Sequence, residues 1–92
     1  MIKSFHHKGL EALYTTGSKR GVQADHVAKL TRILTALDAA HAPEDLDLPA
    51  YRLHELKGRE AGTWSIRVNG NWRVTFRFDG TDVILVDYLD YH

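Results

Sequence analysis

The sequence predicts an α+β fold in which two N-terminal helices pack on one face of a mainly antiparallel, twisted sheet. Two observations carry this. Apolar residues recur at three- and four-residue spacing as far as about position 41, then alternate one in two after Tyr51. Glycine and proline fall where the pattern breaks, at Gly17, Gly21, Pro43, Pro49, Gly70 and Gly80. A chain of 92 residues has room for one small domain with one modest core, so residues 1–92 are expected to form a single unit.

The elements follow in order. Met1 to about Ser4 suits a short first strand. His7 to Thr16 reads as a helix with Leu10, Leu13 and Tyr14 on one side, and Gly17 stops it. Val22 to His41 gives the clearest helix, because Val27, Leu30, Ile33, Leu34 and Leu37 share a face. Pro43 cannot continue it. In the strands, Trp64, Ile66 and Val68 oppose Thr63, Ser65 and Arg67, and Trp72, Val74, Phe76 and Phe78 oppose Arg73, Thr75 and Arg77. The last strand runs from about Asp82 to Tyr88. Reading Asp79-Gly80 as a two-residue turn pairs Phe78 with Thr81, Arg77 with Asp82, Phe76 with Val83 and Val74 with Leu85. Reading Asn69-Gly70-Asn71 as a three-residue loop pairs Val68 with Trp72, Ile66 with Val74, and Trp64 with Phe76, which keeps apolar opposite apolar. The polar face then holds Ser65, Arg67, Arg73, Thr75 and Arg77. Continued alternation adds Tyr88, Asp90 and His92, with His54 placed there less firmly by its register.

Composition narrows the chemistry. The absence of cysteine removes disulfides, thiolate catalysis and cysteine-bound zinc, and suits a reducing cytoplasm. Apolar runs are too short to span a membrane, and the N-terminus lacks a signal-peptide core. With 12 basic and 12 acidic residues the net charge is zero, which argues against coating nucleic acid by bulk charge. The distribution is uneven, however. Arg52, Lys57, Arg59, Arg67, Arg73 and Arg77 share one stretch with only Glu55 and Glu60, whereas Asp38, Glu44, Asp45 and Asp47 gather elsewhere. A locally basic sheet face suits a small, specific RNA contact, or simply a solvated surface. Trp64 and Trp72 have core parity and are assigned to packing before base stacking. His6 and His7 are adjacent and share no helix face. His54-Glu55 opens like a zinc-protease motif, but no second histidine follows at the needed spacing. No metal or cofactor is expected.

The segment Leu53–Val68, with His54-Glu55-Leu56-Lys57-Gly58 and Trp64-Ser65-Ile66-Arg67-Val68, resembles the central strands of HigB toxins in the RelE/ParE superfamily. Asn71-Trp72-Arg73-Val74-Thr75-Phe76 looks like their next strand, Asp90-Tyr91-His92 like their C-terminal ending, and Met1-Ile2-Lys3-Ser4-Phe5 like their opening. The resemblance covers the whole chain and implies a RelE-like fold. It implies a type II toxin that cleaves mRNA in the ribosomal A site, neutralised by a helix-turn-helix HigA-type antitoxin. DNA would be met only indirectly, through that antitoxin complex. The matching positions expected to support cleavage are His54, Lys57, Arg73, Asp90, Tyr91 and His92.

RNA supplies its own nucleophile, since a deprotonated ribose 2′-hydroxyl attacks the adjacent phosphate. The reaction needs a base, an acid for the departing 5′-oxygen, and cations at the phosphate, with no metal required in principle. His54 or Asp90 is read as base and His92 as acid, because imidazole titrates near neutrality. Arg73 suits the scissile phosphate with its planar, permanently charged fork. Lys57 would neutralise developing charge, and Tyr91 would stack or hydrogen-bond. Arg59, Arg67 and Arg77 are read as RNA contacts. The competing reading is a non-catalytic ParE-like toxin that inhibits a protein such as DNA gyrase, because fold alone does not choose between them.

Overall fold

A computed structural model of the chain describes residues 1–91; His92, the expected acid, lies outside the described residues. Helix α1 spans Lys8–Thr16 and α2 spans Val27–Ala39. Strands β1 (His54–Glu55), β2 (Thr63–Asn69), β3 (Trp72–Asp79) and β4 (Asp82–Asp90) form one antiparallel sheet in that order. The first segment adds to the outer side of β4 in parallel, with bridges Ile2–Val83 and Phe5–Val86. It is held there by backbone bonds such as Lys3 N–H to Val83 O at 2.8 Å. Asp38 ties the same segment to α2 by accepting from Ile2 N–H at 3.0 Å and Tyr14 O–H at 2.8 Å. The Ile2 amide, with Tyr14 second, holds the Asp38 carboxyl below its ordinary value.

Leu10, Leu30, Ile33 and Leu37 from the helices share one core with Ile66, Val74, Phe76, Val83 and Val86 from the sheet, all fully buried. The helix boundaries depart from the spacing. His7 caps α1 instead of starting it: its Nδ1 accepts from Leu10 N–H at 3.0 Å and satisfies an orphan amide of the first turn. At Gly17 the backbone turns left-handed (φ 76°) and its N–H closes on α1 carbonyls. The second helix begins at Val27 and ends at Ala39, not at Val22 and His41, and a single 3₁₀ turn at Ala24–His26 precedes it. That turn buries His26 with its Nδ1 2.6 Å from the Tyr88 hydroxyl, and tertiary pairing decides the boundary there.

The sheet register departs in three places, each with a cause. Asp79 pairs with Asp82, so Gly80-Thr81 forms the turn. Only Gly80 has positive φ (62°), which matches a turn with glycine at the first central position. Phe78 therefore meets Val83, and Arg77 meets Ile84, in place of Thr81 and Asp82. At the other hairpin, Ile66–Val74 and Trp64–Phe76 pair as expected, but Asn69 rather than Val68 meets Trp72, across a register shift. The third departure reaches furthest. Between Thr75–Asp87 and Arg77–Ile84 the ladder slips, leaving Leu85 and Val86 opposite Phe76 as a bulge. Leu85 adopts a left-handed backbone (φ 56°), gives its N–H to Ser4 Oγ at 2.9 Å, and is 48% exposed. Val74 then meets Tyr88 instead of Leu85, and Val86 and Tyr88 turn inward. Unbroken alternation would have driven the Asp87 carboxylate into the core, which costs several kcal/mol (about 2–7 for a neutral polar group, more for a charge).

Candidate active face

The side of the sheet away from the core holds most of the expected site. Cross-strand register places His54, Ser65, Thr75 and Asp87 in one row, and Arg67, Arg73 and Leu89 in the next. Arg67 and Arg73 are direct partners, and two like charges opposite one another oppose folding. Arg67 Nε donates to Gly70 O at 3.3 Å. Arg73 stays over the sheet, half-buried, and its Nη1 is enclosed without a hydrogen-bond partner. Ser65, 1% exposed, carries the other partnerless enclosed polar atom found among the described residues.

The link between β1 and β2 carries Lys57 and Arg59, both exposed. Glu55 Oε2 accepts from Gly62 N–H at 2.9 Å. Arg77 Nη1 donates to Thr63 Oγ1 at 3.0 Å and Ala61 O at 3.3 Å. Gly62 (φ 93°) leaves room for that guanidinium, which a Cβ would meet at 2.8 Å. Arg77, expected as an RNA contact, is thus engaged in bracing this link. His54 is exposed, and its Nδ1 lies 3.5 Å from Arg52 O, too long to fix the ring.

At the end of β4, Tyr91 gives its N–H to Asn71 O at 2.8 Å and is 38% exposed. Partial burial, then Glu60 and Asp87, push its phenol upward, while Arg73 pulls the other way. Tyr91 therefore sits within the electrostatic reach of Arg73, of Asp87 and of the link through Glu60. The phenol stays protonated and able to donate.

Asp90 is the correction. It pairs with Trp72, so the bulge gives Tyr88 and Asp90 the parity of the helix-covered side, not of the open face. Tyr88 is 4% exposed there, stacked on Trp72 at 4.5 Å. Asp90, exposed, borders an open hollow of about 470 Å³ with His7, Arg20, Gln23, Trp72 and Tyr88. The structure therefore brings His54 and Arg73 to one face and sets Asp90 at the corner beyond it. The N-terminal segment leaves β4 at Val86, where His6 and His7 donate to its carbonyl, so that corner is a sheet edge. The carboxylate that shares the face with His54 and Arg73 is Asp87. It was missed because alternation counted from Val83 cannot reveal a bulge. The one available signal was that Asp87 would otherwise have been buried.

A four-stranded antiparallel sheet sharing one core with two helices is also the fold of solved toxin structures. The YoeB–YefM complex of Staphylococcus aureus contains a chain with this fold (TM-score 0.63, 18% identity, 100% of this chain and 98% of that one). The YoeB/ParE toxin of Agrobacterium tumefaciens shares it too (TM-score 0.63, 20% identity, 100% and 99% covered). The narrower assignment comes from sequence. The chain belongs to the HigB-like toxin family, described as RelE-like toxins of type II toxin-antitoxin systems, whose model matches residues 3–92. It is 46% identical over 92 residues to Endoribonuclease HigB of Proteus vulgaris, with all of both chains covered. It is 38% identical over 95 residues to Toxin HigB-1 of Vibrio cholerae, covering 100% of this chain and 98% of that one.

Proposed function

We propose that the chain is a ribosome-dependent endoribonuclease that stops translation by cutting mRNA in the cytoplasm, and that a HigA-type antitoxin neutralises it. The observation that carries this reading is the enclosed, partnerless guanidinium nitrogen of Arg73, on the same face as His54. A buried cation nitrogen without a partner is costly, and a phosphate oxygen is the acceptor that relieves it. The relative named Endoribonuclease HigB supports the substrate class.

In this scheme Arg73 holds the scissile phosphate. His54 or Asp90 takes the 2′-proton. His92 returns a proton to the 5′-oxygen. Lys57, exposed on the braced link, faces the charge that develops on the phosphate, and the protonated Tyr91 donates a hydrogen bond or stacks on a base. Arg59 and Arg67 contact RNA, while Arg77 supports the link that presents Lys57. Each proton transfer by a placed group contributes about 10²–10⁴-fold.

Mapping RNA 5′-ends in cells after brief induction tests the reading. New ends confined to translated frames are expected. Intact messages with damaged DNA would replace it with a ParE-like block of a protein target.

A further inference from the structure

Two enclosed polar atoms on the open face lack partners: Arg73 Nη1 and Ser65 Oγ. Their residues are diagonal neighbours, because Ser65 pairs with Thr75 and Arg73 pairs with Arg67. Diagonal positions on one sheet face lie about 7–8 Å apart, within the span of an arginine side chain. A hydroxyl that is 1% exposed and unpaired costs stability, and alanine would remove that cost by deleting a single oxygen atom. A buried group kept at a cost in the free protein points to a ligand that completes it.

We propose that Ser65 is a phosphate-contacting residue, its hydroxyl donating to a non-bridging oxygen of the RNA phosphodiester that Arg73 holds. One anion then satisfies both orphans, since a tetrahedral phosphate presents oxygens in more than one direction. Ser65 lies in the same row as His54, so the contact also fixes the phosphate relative to the imidazole. The backbone of central strand β2 supplies rigidity, and the short side chain needs little ordering when the ligand arrives. The inference rests on the nuclease reading for its substrate, but the anion site is testable without it.

The test compares wild type, Ser65→Ala, Ser65→Thr and Arg73→Ala. Thermal unfolding of Ser65→Ala is expected at the wild-type temperature or above it. Inorganic phosphate, titrated while the Arg73 Nε–H resonance is followed by NMR, is expected to bind Ser65→Ala about tenfold more weakly. Cleavage of message on translating ribosomes by the purified protein should fall by about tenfold or more, and Ser65→Thr, which keeps the hydroxyl, should recover most of it. Wild-type phosphate affinity and wild-type cleavage in Ser65→Ala, with Arg73→Ala inactive, would overturn the role of Ser65 and leave the nuclease reading standing. A wild type that cuts no RNA, with phosphate affinity still lowered in Ser65→Ala, would remove the nuclease and keep the anion site. Unfolding of both Ser65 variants would assign Ser65 to packing and overturn the inference.

Discussion

The two faces of this one sheet are buried in different ways. On the helix side, Ile66, Val74, Phe76, Val83 and Val86 are enclosed by other apolar groups. The polar atoms there find partners, as in the contact between His26 and Tyr88. On the opposite side, Ser65 and Thr75 are also buried, yet Ser65 Oγ and Arg73 Nη1 go unpaired and two arginines face each other. The first face pairs its buried polar groups, whereas the second leaves two enclosed polar atoms unpaired among the described residues. Sites built this way are expected to break the rules that the rest of the fold obeys.

Substitutions can break that contrast. Phe76→Ala is expected to cost about 3–5 kcal/mol, a large share of the stability of so small a domain. Denaturant unfolding measures it. Arg73→Ala should remove about 10²–10³-fold of cleavage activity and of toxicity with little change in unfolding temperature, because it deletes a side chain whose enclosed Nη1 has no partner. Equal destabilisation by the two variants would erase the distinction between the faces.

A smaller effect sharpens the picture of the covered side. Glycine to alanine inside a helix ordinarily stabilises by about 1 kcal/mol. Here a Cβ on Gly9 of α1 would stand 2.5 Å from the Gly21 carbonyl oxygen and 2.7 Å from its Cα. Gly9→Ala is therefore expected to destabilise, by about 1–3 kcal/mol, as backbone is forced from backbone. Thermal unfolding reads the sign, and a gain in stability would show that the segment around Gly21 packs loosely.

Much of this was legible along the chain. Helical spacing grouped Leu10, Leu13 and Tyr14, and Val27, Leu30, Ile33, Leu34 and Leu37; the leucines and Ile33 are buried, while Val27 is half-buried and Tyr14 is exposed. Alternation placed Ser65, Arg67, Arg73 and Thr75 together on the polar face, where cross-strand pairing finds them. Of the residues the family resemblance picked out, His54 and Arg73 share that face and Asp90 does not. Helix bounds and turn registers shifted by a few residues, but the failure that moved the site lies at Leu85. An apolar residue in an apolar run reads as core, and nothing local marks it for a left-handed backbone and exposure. From that point every residue of β4 changes side, so Asp87 and not Asp90 shares the face of Arg73.

Short-range periodicity was enough to establish which residues are apolar-faced and which strands pair, because side-chain direction repeats with a fixed period within an unbroken element. Where an element breaks is a different kind of fact. The slip in β4 depends on Ser4 receiving the Leu85 amide from 81 positions away, and the start of α2 depends on His26 meeting Tyr88 across 62. Those partners meet only once the chain has folded, so no window of neighbouring residues contains them.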